Sequence, residues 1–352
     1  MNTLIDVSAM RLRVPPPPAQ THRVLSHRTK IVNHSPFSIN EVNVCRAIST
    51  IPYHSAFFSI LCECEPLDIL SLDDTVTEKL QLDEHMKYYL FTYADKHSED
   101  LMDVLYRATS VKKLIGDIIH SFQHVLYALH LLNDHGVCYF HISPLNILFL
   151  NKYREKPLLS DFKFSLQLKK LNYTYISRII HKIDQFTYLP FEVHILYYFV
   201  KHHMVTISHG FIEEFCENFV DNLAILELFS DAYKTRFKEQ CIETMRPYIN
   251  HSRTQIIQDI LERHNKWDVY GISVIFIQLF GCITKVFSLK STCISQITMA
   301  LTANLHPDAQ KRLSLEETLN VCNKWLNEEP DWSFANHLDN AKLPTLLSVF
   351  TR

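Results

Sequence analysis

Between residues 111 and 133 the chain repeats apolar residues at intervals of three and four: Leu114, Ile115, Ile118, Ile119, Phe122, Val125, Leu126 and Leu129. On a helix of 3.6 residues per turn these fall on one face, and a face that wide has to be covered by a core. A chain of 352 residues can supply one, as a single large two-lobed domain or as two ordinary ones. Gly136, just past the last periodic residue, is the expected stop signal.

The pattern changes along the chain. Before residue 95, short runs such as RTKIV from Arg28 and YYLFTY from Tyr88 have the β-branched and aromatic content of strands, while residues 39–48 carry apolar side chains at helical spacing. After Gly136 come two strand-like runs, ILFL from Ile147 and PLLS from Pro157, and then a mainly helical chain to about residue 327. Strand-rich followed by helix-rich sequence predicts an α+β protein with a mostly helical C-terminal part. The first 23 residues hold four consecutive prolines, Pro15 to Pro18, and no apolar period, which predicts an extended arm.

Composition excludes several classes. With 47% hydrophobic and 21% charged residues and a formal charge of −3, neither a disordered chain nor a strongly basic nucleic-acid binder is expected. The longest run free of charged residues and histidine, 269–284, has 16 residues against the roughly 20 that a membrane-spanning helix needs. It reads as a buried core helix, and no membrane span is expected. No charged stretch followed by an apolar one opens the chain, so no secretory leader is expected. The nine cysteines form no CxxC pair, and reduced, buried thiols suit a cytoplasmic setting.

The segment GVCYFHISPLNILFL from Gly136, followed by SDFK from Ser160, resembles the catalytic segment of protein kinases, H-R-D-x-K-P-x-N-I-L and then D-F-G. Pro144, Asn146, Ile147, Leu148, Asp161 and Phe162 fall in register. Other landmarks follow in the family's order. YLPFE, ending at Glu192, resembles the A-P-E motif; KWDVYG, with Asp268, resembles D-x-W-x-x-G; HPDAQKR, ending at Arg312, resembles the late arginine motif. Upstream, YLFTYAD from Tyr89 is similar to the hinge between lobes, with Phe91 at the gatekeeper position.

The resemblance implies a bilobal kinase-like fold: an arm over 1–23, a small strand-rich N-lobe and hinge over 24–95, a large helical C-lobe over 96–328, and a C-terminal tail over 329–352. It also implies structural roles for Glu192, Asp268 and Arg312, with a buried ion pair between Glu192 and Arg312. A long helical insertion at about 194–264, together with Phe140 in place of the H-R-D arginine, is similar to kinase-like proteins of large nucleocytoplasmic DNA viruses. That likeness would set the chain in host cytoplasm or a virion.

Phosphoryl transfer depends on positioning and electrostatics, and several of the parts are missing here. Only five glycines occur where average usage of about 7% would give roughly 25, and the earliest is Gly116, so no glycine-rich loop can cradle phosphates near the N-terminus. His141 stands at the aspartate position and Ser143 at the catalytic-loop lysine position. Losing a positioned acid or base typically costs about 10²–10⁴-fold in rate. Lys30, Glu41, Phe91 and Tyr93 are the positions that would meet a nucleotide, with Glu41 matching the helix glutamate that holds the strand lysine in kinases; eleven residues is a tight separation for a Lys30–Glu41 pair, and two solvated faces are an equal alternative. Asn146 and Asp161 would be the metal ligands, and Lys163, replacing the D-F-G glycine, could pair with Asp161 in place of a metal.

The resulting expectation is a catalytically impaired kinase-like protein that binds another protein, such as a kinase or a virion component, through the inserted helices or the proline arm. No cofactor and no nucleic acid are expected. Two alternatives stay open: an atypical serine/threonine kinase using ATP with Mg²⁺ on Asn146 and Asp161 and His141 as base, and a structural virion component with a kinase fold. Residues His194, His202, His203 and His209 lack a carboxylate-rich metal pattern and read as packing or solvated histidines.

Overall fold

A computed structural model describes residues 28–69, 72, 78, 80–83, 85–93, 98–150, 156–202, 206–289, 292–328 and 333–350. The expected arm over 1–23, hinge residues Ala94 and Asp95, His203 and tail residues 329–332 and 351–352 lie outside the described residues. The architecture is α+β and mostly helical, with small antiparallel sheets towards the N-terminal part.

The first sheet has the order β1-β3-β2, from β1 (Arg28–Asn33), β2 (Leu61–Leu67) and β3 (Tyr88–Tyr93), all antiparallel. Between β1 and β2 runs α1 (Pro36–Ile48). Its start is set by a capping box: Ser35 Oγ accepts from Ser38 N at 3.2 Å and Ser38 Oγ accepts from Ser35 N at 2.8 Å, with Pro36 in the first turn. Val44, Cys45 and Ile48 bury its inner face.

Strand β4 (Ser98–Asp100) leads into α2 (Leu101–Tyr106) and then α3 (Val111–Asp134), the long helix of the apolar repeat. Ser110 caps α3 by accepting from Lys113 N at 3.1 Å. Leu114, Ile118, Phe122, Val125 and Leu129 are wholly buried, each adding about 1.5–3 kcal/mol of transfer free energy. Past its end Gly136 adopts φ +76°, a left-handed conformation that side-chain-bearing residues rarely take.

Two small ribbons follow: β5 (Val137–Cys138) with β8 (Leu166–Gln167), and β6 (Ile147–Leu150) between β4 and β7 (Leu158–Leu159). They bracket the two loops 139–146 and 160–165. The remaining chain is helical: α4 (Tyr173–Ile180), α5 (Phe191–His202), α6 (His209–Asp221), α7 (Asp231–Met245), α8 (Arg253–Glu262), α9 (Trp267–Val286), α10 (Cys293–Ala303), α11 (Leu315–Asn323), α12 (Ser333–Asn336) and α13 (Leu343–Phe350).

Helix α9 is the centre of this part. With the turn before it, the helix over 264–286 has 23 residues and contains an 18-residue stretch of mean hydropathy 1.8, long and apolar enough to cross a membrane by length and composition, yet 67% of that stretch is buried inside the fold. It is longer than the uncharged run 269–284 because His264, Lys266, Asp268 and Lys285 belong to the same helical stretch. Gly271 lets two loops close on α9: a Cβ there would stand 2.6 Å from Ile142 Cγ2 and 3.0 Å from Tyr188 O. The span expected to be a tail also packs into the core, with Leu346 of α13 wholly buried.

Candidate functional site

The loop over 139–146 is shaped from below by Asp268. Its carboxylate accepts from Tyr139 N at 2.8 Å and Phe140 N at 2.7 Å. Burial pushes the Asp268 carboxyl up to about 6, while the two N–H donors pull it the other way. Phe140 takes φ 69°, in the left-handed region, with its ring buried against Trp267 at 5.3 Å. Such a conformation costs on the order of 1–3 kcal/mol and persists only where its surroundings impose it. The Tyr139 hydroxyl donates to Ser160 O, and its ring meets Phe162 edge-on at 5.5 Å. One loop is thereby registered against the other.

Each polar side chain at the top of this loop has a local partner. His141 Nε2–H donates to Gln185 O at 3.1 Å, and the ring stands edge-on to Phe164 at 5.2 Å. Burial lowers its pKa below the usual value, which keeps the imidazole neutral at pH 7. With Nε2 donating, that nitrogen cannot accept a substrate proton. Ser143 Oγ accepts from Leu145 N at 3.3 Å and caps the short turn Pro144–Asn146. The Asn146 amide donates to His141 O at 3.5 Å, and Asn146 O accepts from Ser160 N at 3.0 Å.

Asp161 is the second left-handed non-glycine residue here, at φ 58°. Lys163 Nζ donates to its Oδ2 at 2.6 Å, with the two side chains 23% and 27% exposed. Its Oδ1 is buried and has no hydrogen-bond partner among the described residues. The same ammonium lies 5.1 Å over the Phe164 ring, which meets Phe37 of α1 edge-on at 5.7 Å. A divalent cation on Oδ2 would sit within about 2.0–2.6 Å of that oxygen. It would have to displace the lysine. Asn146 and Asp161 Oδ1 remain as candidate oxygen ligands, and no group of three His, Cys, Asp or Glu suited to a metal occurs among the described residues.

Lys30 and Glu41 do not form the ion pair considered from the sequence. Glu41 is 2% exposed, so the solvated-face alternative fails for it, and its Oε1 accepts from the Tyr93 hydroxyl at 3.0 Å. Burial raises its carboxyl pKa; the charge of Lys30 lowers it by less. Lys30 lies opposite Phe91 in the β1–β3 register, and no ion pair between it and Glu41 is present within 4 Å. The short β1–α1 connection brings Glu41 under the sheet, where Tyr93 reaches it first. Phe91 is fully buried and stacked 6.4 Å from Tyr89, and the Arg28 guanidinium covers the Tyr93 ring at 4.4 Å.

Glu192 and Arg312 form a bidentate pair at 2.8 and 2.7 Å, with side chains 5% and 0% exposed. Arg312 also donates to His306 O at 2.6 Å and Pro307 O at 3.1 Å.

Sequence reasoning missed two residues. Asn40 on α1 donates from Nδ2 to Lys163 O at 3.0 Å and Ser165 O at 2.9 Å, and its Oδ1 accepts from the Tyr175 hydroxyl at 2.7 Å. Its only signal was a polar residue beside Glu41 on an otherwise apolar helix face. Arg253 of α8 hydrogen-bonds the Tyr173 hydroxyl and donates to Phe199 O at 3.1 Å, with no sequence signal beyond charge. Of the four histidines considered as ligands, His194 packs among rings, His202 stacks on Tyr198 at 4.3 Å and His209 starts α6; His203 is outside the described residues. No family model matches this chain, and no curated protein matches it.

Proposed function

We propose that this chain is a protein-kinase-like protein without competent phosphoryl-transfer machinery, acting by binding another protein. One observation carries the reading: the side chains at the chemistry-bearing positions are engaged by partners within the protein. Lys163 holds Asp161, His141 donates to a backbone carbonyl, and Ser143 caps its own turn. A phosphotransferase needs these positions directed at triphosphate, metal and acceptor hydroxyl. The left-handed Phe140 and Asp161, the Asp268 clamp on the loop backbone and the Glu192–Arg312 pair support the kinase-like side of the reading. The missing glycine-rich loop and the occupied Asp161 support the impaired side. Kinship with viral kinase-like proteins rests on the insertion and Phe140, and is proposed on that basis.

The test is thermal melting of the full chain with and without ATP and Mg²⁺, paired with a labelled-phosphate assay on candidate proteins. Ligand at 100 times its Kd would add about 2.7 kcal/mol of stability. No shift and no incorporation are expected. Incorporation that disappears in Asp161→Ala would replace this reading with an atypical serine/threonine kinase.

A further inference from the structure

Residues 184–187, α5 and α6 enclose a groove of about 480 Å³. Its walls are aromatic. Phe186 and Tyr197 lie 4.4 Å apart, and Tyr198 meets Phe211 at 4.9 Å and Phe215 at 5.6 Å. His194 sits between Phe186 at 5.5 Å and Phe219 at 4.8 Å, and burial pushes its pKa down to about 4, so it brings no positive charge. Asp184 and Glu214 also line the groove. Both are exposed, and neither has an ion-pair partner among the described residues. By contrast Glu217, on the same helix as Glu214, is held by Lys238 at 2.8 Å. Lys201 covers the Tyr197 ring at 5.4 Å and His202 stacks on one face of Tyr198 at 4.3 Å, while no lysine or arginine lies over Tyr198, Phe211 or Phe215 among the described residues.

Aromatic faces attract cations, and the planar guanidinium both stacks on them and offers a carboxylate two parallel N–H donors. The negative potential of the two carboxylates at the groove favours a cationic guest over a purely apolar one. We propose that this groove receives an arginine side chain carried on an extended segment of a partner protein, stacked on the Tyr198, Phe211 and Phe215 rings and held by Glu214 or Asp184. The inference rests on the reading that the chain works by binding another protein, and it gives that partner a chemistry.

Fluorescence anisotropy with the full chain tests it. The probes are labelled peptides with one arginine among leucine, proline and serine, and the same peptides with citrulline, which keeps the shape and removes the charge. Saturable binding of the arginine peptide is expected, weakened about tenfold or more by citrulline, by Glu214→Gln with Asp184→Asn, and by Tyr198→Ala. Melting curves check that each variant is folded, and Tyr198→Phe should bind as the parent does. Equal affinity for arginine and citrulline, indifference to the carboxylate changes, or no saturable binding overturns the proposal. Binding that emerges only after Arg11→Ala and Arg13→Ala would put the chain's own arm in the groove and overturn it too. Labelled ATP in parallel samples separates the two readings: phosphate incorporation refutes the functional proposal whatever the peptides do, whereas absent peptide binding without incorporation refutes the groove alone.

Discussion

Replacing Arg312 with methionine should be among the most destabilising single changes in this chain. The guanidinium is fully buried and makes both bonds to Glu192, and the carboxylate is itself only 5% exposed. Removing the cation leaves a buried carboxylate with neither water nor counter-charge, a situation that costs about 3–5 kcal/mol. Arg312→Met also deletes the donors to His306 O and Pro307 O and the cation over the Tyr270 ring at 5.1 Å. An unfolding entropy of about 2.1 cal/mol/K per residue amounts to ~0.7 kcal/mol per kelvin for a chain of 352 residues, so the loss should lower Tm by about 4–7 °C. The companion experiment is the double variant Glu192→Leu with Arg312→Met, because replacing both members of a buried pair by apolar groups is often nearly neutral. Calorimetry on parent, both singles and the double gives the coupling. If Arg312→Met proves as stable as the double variant, the lone carboxylate carries no penalty and the reasoning is refuted.

Asp268→Ala should cost about 2–6 kcal/mol in denaturant melts, since it strands the buried N–H groups of Tyr139 and Phe140; a change below ~1 kcal/mol would show that the loop keeps its shape without this clamp. The same residue predicts a pH effect. Its folded-state pKa is pushed up to about 6 from an ordinary 3.8, so the native state keeps a proton that the unfolded state releases, and this group's contribution to stability falls as pH rises from about 4 to 6, by about 3 kcal/mol. Asp268→Asn should remove that part of the slope, and identical slopes in the two proteins would contradict it. Tyr93→Phe leaves the Glu41 carboxyl without its hydroxyl donor and should lower stability by about 1–3 kcal/mol, read from urea midpoints, with no loss counting against the contact. Lys163→Ala should change stability by no more than ~1 kcal/mol because its pair with Asp161 is partly exposed; a larger drop in the same melts would mean that the lysine acts through packing on Phe164.

What was legible in the sequence tracks how local the signal was. The eight-residue apolar repeat fixed the burial of α3 because helical periodicity is a property of one segment, and Gly136 marks its end in the same stretch, whereas the Ser110 cap emerged only with the structure. The left-handed turns at Phe140 and Asp161 were not readable, since a non-glycine residue takes that conformation only when distant groups such as Asp268 impose it. The Lys163–Asp161 contact could be considered from a spacing of two. The fate of Glu41 could not, because Tyr93, 52 positions away, takes the place that Lys30 was expected to fill. The insertion was expected to be helical, but what its helices would line was not readable. Which rings and carboxylates meet around residues 184–187 depends on how α5 and α6 pack.

Asn40 ties α1 to three points of the 163–175 segment. Its two amide protons and its carbonyl oxygen are all committed, so swinging α1 away would strand all three. Hydrogen exchange should therefore show α1 and the 163–175 segment releasing their amides as one cooperative unit, with a shared free energy of opening. A single amide side chain would then act as a latch between α1 and the 163–175 segment.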